Sequence, residues 1–123
     1  MHLTILHVED NQLVAATVKE LLAYEGWRVT LCPDGPAGLR ALESRTHYDL
    51  LLMDNELPGL DGWRLIQHAR TLPHRQATPI IMMSARDMTQ TATEVGADAF
   101  LMKPEGVARL VPTISRLVNR AAR

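Results

Sequence analysis

Leu50-Leu51-Leu52-Met53, closed by Asp54 and followed shortly by Pro58-Gly59, leaves this chain few architectures. A strand with one wet face alternates apolar and polar residues. An unbroken apolar run bounded by turn residues is instead a strand covered on both faces, the pattern of parallel sheets. Asp54 then stands at its strand's carboxyl end, the edge where open α/β sheets hold their ligands. Asp ahead of a Pro-Gly segment also caps turns, so this residue alone leaves both roles open.

The pattern recurs along the chain. Strands are expected over 3–8, 27–32, 49–53, 79–84 and 99–102, alternating with amphipathic stretches. Asn11 is expected to cap a first helix with the core stripe Val14, Val18, Leu21 and Leu22, ending near Gly26. Further helices fit 36–44, 62–71, 87–95 and 107–121. Pro112 would break the last one unless it sits in the first turn. Five βα units in succession predict an α/β fold, a parallel sheet with helices on both faces, because right-handed crossovers leave little else.

With 123 residues, one core and one domain are expected. A formal net charge of −1 gives no bulk attraction to nucleic acid or anionic membrane. Arg109, Arg116, Arg120 and Arg123 share one helical face, but no aromatic residues interleave with them for base stacking, so a solvated face is the better reading. The single cysteine, Cys32, excludes an intrachain disulfide and reads as a small buried hydrophobe. The N-terminus enters a strand without a signal peptide's features, and no apolar run approaches membrane-spanning length. A soluble, cytoplasmic protein is expected.

Chemistry emerges when the strand ends are compared. The first strand ends in Glu9-Asp10, the third in Asp54, the fourth in Ser84 and the fifth in Lys103-Pro104, all at one sheet edge. Like-charged carboxylates about 5 Å apart repel by roughly 3 kcal/mol per pair at an effective dielectric of about 20. A divalent cation and the lysine ammonium would offset this. Oxygen ligation without cysteine, and five histidines without metal-ligand spacing, suit Mg²⁺ or Mn²⁺. Metal, lysine and the Ser84 hydroxyl around Asp54 make a phosphoryl-transfer site in which Asp54 is the nucleophile of an acyl phosphate.

These residues, with Leu57-Pro58, Asp61-Gly62, Ala85, Gly96-Ala97-Asp98 and Phe100, resemble the response-regulator receiver domain of two-component signalling, the CheY-like family, over nearly the whole chain. The spacings agree as well: Asp54 follows Asp10 by 44 residues and Ser84 follows Asp54 by 30. The resemblance implies a doubly wound (βα)5 flavodoxin-like sandwich with strand order 2-1-3-4-5. It implies that Asp54 accepts phosphate from a sensor histidine kinase or histidine phosphotransfer protein, and that the altered surface signals to a downstream protein. Asp10 would bind Mg²⁺ directly and Glu9 through water, with Asp54 and the backbone carbonyl of Glu56 completing the ligands. Ser84 and Lys103 would contact phosphoryl oxygens, Phe100 would be the switch aromatic or a plain core residue, and the peptide before Pro104 would be cis. In receivers the first helix meets the kinase, which points to Leu13, Val14 and Thr17, although such residues equally form a core edge. Glu56 and Arg86 flank the path of the hydrolysing water, where an ion pair would form a dephosphorylation gate and two independently solvated side chains would not.

Departures accompany the resemblance. Lys103 follows Ser84 by only 19 residues, about one helical turn short of the family's habit, so the fourth helix or its loop is expected to be trimmed. Glu105-Gly106 stands where many relatives have Phe two positions after the lysine. The chain leaves no length for an effector, so a stand-alone regulator is expected, catalysing only its own phosphorylation and dephosphorylation; a receiver excised from a hybrid kinase is the variant of this reading. Two further readings are a degenerate receiver acting as a docking module, disfavoured because no key residue is missing, and an aspartyl-phosphate phosphatase of the haloacid dehalogenase type. That type places its nucleophile in Asp-x-Asp on the first strand, where this chain has Glu9-Asp10.

Overall fold

The computed structural model describes residues 2–122. Five strands, β1 Thr4–Val8, β2 Arg28–Cys32, β3 Leu50–Asp54, β4 Ile80–Ser84 and β5 Ala99–Met102, form one sheet. All four pairings are parallel and the order is β2-β1-β3-β4-β5. The helices are α1 Gln12–Tyr24, α2 Gly35–Glu43, α3 Gly62–Ala69, α4 Thr89–Val95 and α5 Leu110–Ala121, with a 3-10 helix over Glu105–Arg109.

The central strands β3 and β4 are apolar up to their last residue and buried along their whole length because the sheet is covered on both faces, whereas edge strand β2, with Arg28 and Thr30, is largely exposed. Alternating side chains divide between two layers. Leu6, Val8, Leu51, Met53, Ile80 and Met82 pack with Leu42 of α2, Leu65 and Ile66 of α3 and Ala92 of α4. Ile5, Leu50, Leu52, Ile81 and Met83 pack on the other face with Val18 and Leu22 of α1 and Leu110, Ile114 and Leu117 of α5. At roughly 1.5–3 kcal/mol for each large aliphatic side chain removed from water, these layers are the main favourable term in folding. Cys32 is a buried member of the first layer.

Helix ends follow local chemistry, and here several expected bounds are corrected. Asn11 caps α1 by accepting from the Val14 amide at 3.0 Å, and the buried stripe is Ala15, Val18 and Leu22, with Val14 and Leu21 only half-buried. Helix α4 starts at Thr89 rather than 87, because Asp87 Oδ1 accepts from the Thr89 amide and hydroxyl. It is seven residues long, the trimmed element expected from the short spacing to Lys103, and it ends at Gly96, whose φ of 98° favours glycine. Helix α3 ends at Ala69, where the Arg70 amide donates to Ile66 O.

The last helix begins at Leu110, not 107. Pro112 thereby falls in the first turn, where no amide is required, and the chain before it tightens into the 3-10 turn. Arg109 consequently lies outside the helix that carries Arg116 and Arg120, so the basic series is not one continuous α-helical face; Arg123 lies outside the described residues. No helix among the described residues is long and apolar enough to cross a membrane.

Candidate functional site

Parallel strands bring their carboxyl ends to one edge, and register sets what meets there. Val8 aligns with Met53, Asp54 with Met83, and Ser84 with Met102. Glu9, Asp54, Ser84 and Lys103 therefore converge although 94 residues separate the first from the last. The Lys103–Pro104 peptide is cis, as the resemblance implied.

Lys103 Nζ lies 2.6 Å from Asp54 Oδ1 and 3.3 Å from Glu9 Oε1. Asp54 Oδ1 is nonetheless without an aligned hydrogen-bond donor, so its link to the ammonium is an ion pair by proximity. Glu9 also accepts from the Asn11 amide at 3.1 Å. Glu9 and Asp54 are each 1% exposed and Ser84 is fully buried, whereas Asp10 reaches solvent.

Burial sets the protonation tendencies. It raises the Asp54 carboxyl to about 7, against the lowering influence of Lys103 and with a further push from Glu9 and Glu56. It likewise raises Glu9, opposed by the Asn11 amide and by Lys103. For Lys103, burial acts downward but is outweighed by Asp54 and Glu9, which hold the ammonium above its ordinary value.

One oxygen each from Glu9, Asp10 and Asp54 lies within 4.8 Å of the others. Three hard oxygen donors, two of them from the buried carboxylates Glu9 and Asp54, fit Mg²⁺.

Glu56 takes a position that spacing did not disclose. Its carboxylate accepts from Ser84 Oγ at 2.9 and 2.8 Å, from the Ala85 amide at 3.1 Å and from Asn55 Nδ2 at 2.8 Å. Burial acts to raise its pKa, but these three donors and the Arg86 charge bring it below the usual value. Arg86 stands at the rim, its guanidinium 3.8 Å from Glu56 Oε2 with the side chain 68% exposed.

Phe100 is half-buried and packs on the layer beneath α4. Leu13 and Thr17 are exposed and Val14 half-buried, and with Pro104 and Val107 they line an open apolar groove beside the site.

Three residues contribute in ways the sequence reading did not assign. Asn55 is 3% exposed; its Oδ1 accepts from the Trp63 amide at 3.2 Å while its amide group steers Glu56. An Asn between a strand end and a turn is a signal for such bridging. Gly62 starts α3 so close to the site that a β-carbon there would collide with the Asp54 carbonyl oxygen. His7 is fully buried with both ring nitrogens unpartnered, and burial, then the Lys103 charge, lowers its pKa to about 4.

Residues 5–115 match the family described as the response regulator receiver domain. The chain is 36% identical over 120 residues to the transcriptional regulatory protein PcoR of Escherichia coli, covering 95% of this chain and 52% of that one. It is 38% identical over 119 residues to the transcriptional activator protein PfeR of Pseudomonas aeruginosa, covering 94% and 38%. The chain thus spans about half the length, or less, of these curated relatives. Among solved structures, the receiver domain of sensor histidine kinase PA1611 from Pseudomonas aeruginosa, with a magnesium ion coordinated in its active site cleft, matches with a TM-score of 0.85 at 33% identity, covering 97% of this chain and 99% of that one. A CheY-like receiver domain protein from Methanospirillum hungatei matches with a TM-score of 0.89 at 26% identity, covering 99% and 98%. Strand order, the converging acidic, hydroxyl and lysine side chains and the match over residues 5–115 agree: the chain belongs to the response regulator receiver domain family.

Proposed function

We propose that this receiver domain takes a phosphoryl group on Asp54 from the phosphohistidine of a sensor histidine kinase or histidine phosphotransfer protein, and passes the signal to a downstream protein through its altered surface. The observation that carries this reading is the Lys103 ammonium held 2.6 Å from Asp54 within a cluster of three carboxylates. An Asp54 oxygen attacks phosphorus; the new O–P bond forms as the P–N bond to the donor imidazole breaks, and the electron pair returns to that nitrogen. Glu9, Asp10, Asp54 and the Glu56 carbonyl are the groups that would hold Mg²⁺, and when bound it supplies charge neutralisation for the transferred phosphoryl oxygens.

Lys103 balances the carboxylates and stands ready for a phosphoryl oxygen. Ser84, whose hydroxyl now donates to Glu56, is the hydroxyl that would contact a phosphoryl oxygen. The groove lined by Leu13, Val14 and Thr17 is the proposed docking face for the phosphodonor, since exposed apolar side chains beside the nucleophile fit a partner helix. On this reading the chain catalyses only its own phosphorylation and dephosphorylation.

Intact-mass spectrometry after treatment with acetyl phosphate and Mg²⁺ tests the assignment. One phosphoryl group is expected on the native protein and none on Asp54→Ala. Undiminished labelling of the variant would remove Asp54 as acceptor, and no labelling of the native protein would favour a docking module.

A further inference from the structure

The Ser84 hydroxyl has no free capacity to donate. A serine hydroxyl carries one proton, and here it lies toward the Glu56 carboxylate at 2.8 and 2.9 Å, while the oxygen accepts from the Arg86 amide at 3.1 Å. The Ala85 amide is also committed, to Glu56 Oε1 at 3.1 Å. A buried hydroxyl and the next backbone N–H, side by side at a strand's carboxyl end, form a cradle for an oxyanion. Glu56 is that oxyanion in this structure. Asn55 holds it there through Nδ2 on Oε2, and Arg86 is loosely paired with that same oxygen.

We propose that the Glu56 carboxylate is a built-in competitor for the phosphoryl seat, so that phosphorylation of Asp54 requires Glu56 to leave Ser84 and Ala85. The inference rests on the phosphoacceptor reading and deepens it by assigning Glu56 a part in setting the threshold for phosphorylation. Glu56 acts through the groups that receive the phosphoryl oxygens, which makes it a positioning residue. Leaving the seat deprives the buried Ser84 hydroxyl of its acceptor and frees the solvent-exposed Ala85 amide, and an incoming phosphoryl oxygen replaces the lost acceptor, so the exchange is favoured by phosphoryl arrival. Arg86, already 3.8 Å away, is placed to receive the displaced carboxylate at the rim.

Initial rates of acetyl phosphate labelling at saturating Mg²⁺ test the proposal in the native protein, Glu56→Gln, Glu56→Ala, Ser84→Ala and the Glu56→Ala, Ser84→Ala double variant. Glu56→Ala is expected to label about tenfold faster than the native protein, the scale of one charge-assisted hydrogen bond, with Glu56→Gln between them. Simple removal of negative charge beside Asp54 would give a gain independent of Ser84, so the cycle decides: the gain must shrink in the Ser84→Ala background. Should Glu56→Ala fail to fold, the near-isosteric Glu56→Gln in both backgrounds carries the same comparison. Equal rates in native and Glu56 variants, or a gain undiminished without Ser84, would overturn the competitor while leaving the phosphoacceptor reading intact. Absence of labelling in every protein would overturn both.

Discussion

Adjacent Glu9 and Asp10 have the same charge and opposite situations. Glu9 is buried and already committed, to Lys103 at 3.3 Å and to the Asn11 amide at 3.1 Å. Asp10 is exposed beside it, with a carboxylate oxygen in the acidic cluster. A cation entering from solvent therefore meets Asp10 without breaking an existing ion pair, whereas Glu9 would have to be shared with the lysine. Asp10→Asn is accordingly expected to lower Mg²⁺ affinity by roughly 10–100-fold, and Glu9→Gln by less. Titration of Mg²⁺ against tryptophan fluorescence measures this, since the Trp63 backbone N–H donates a hydrogen bond to Asn55 Oδ1 at 3.2 Å and so ties that residue to the site. A larger loss for Glu9→Gln would reverse the assignment of the pair.

Loops rather than strands carry the features that distinguish this receiver. Glu56 follows β3 and Arg86 follows β4, so their 3.8 Å approach joins two loops across the site's mouth. Exposed pairs contribute only about 0–1 kcal/mol to stability, but a barrier raised by about 1.4 kcal/mol lengthens an acyl phosphate's life tenfold. Were Glu56 displaced from Ser84 by the phosphoryl group and still beside Arg86, in-line approach of water would be obstructed. Native protein is expected to lose its phosphoryl group several-fold more slowly than a Glu56→Asn, Arg86→Ala variant, measured by decay after phosphodonor removal at saturating Mg²⁺. Equal decay, or faster native decay, would reject the gate. Strand ends were legible in sequence because four or five apolar residues closed by a turn admit little but a doubly buried strand, which is why Asp54, Ser84 and Lys103 could be aligned in advance. Positions decided by contact across loops were not. Sequence offered Glu56 as a backbone metal ligand and as either half of a gate with Arg86 or a solvated side chain, but its bonds to Ser84 and Ala85 exist only once β4 is beside it, and the start of α5 depends on how Pro112 is absorbed. The Gly96-Ala97-Asp98 motif likewise explains itself only in three dimensions. Arg70 donates to Gly96 O at 3.0 Å and to Asp98 Oδ2 at 2.9 Å, fastening the end of α3 to the turn before β5.

Two buried groups of opposite behaviour pull the whole molecule's stability in opposite directions with pH. His7, two residues after Ile5 in β1, shares its α1 and α5 face, and its pKa is lowered from 6.5 to about 4, chiefly by burial. Between those values the unfolded chain takes up a proton that the folded chain refuses. The His7 contribution is therefore complete above about pH 6.5 and is lost as pH falls toward 4, by roughly 3 kcal/mol in all. Asp54, raised from 3.8 to about 7 in the absence of metal, behaves the other way: its contribution is complete below 3.8 and is lost as pH rises through about 7. Glu9, also raised by burial, acts in the same sense as Asp54. In native protein freed of metal the opposing slopes mask one another, so the variant that separates them is His7→Leu, which keeps an apolar side chain of similar size in the sheet. Relative to native protein, His7→Leu is expected to be about 2 kcal/mol more favourable at pH 5 than at pH 7, whatever its offset at pH 7 from removing two unpartnered ring nitrogens. Urea unfolding of both proteins in the presence of chelator at the two pH values supplies the comparison. A native-to-variant difference that does not change with pH would mean that His7 is not held neutral by the fold.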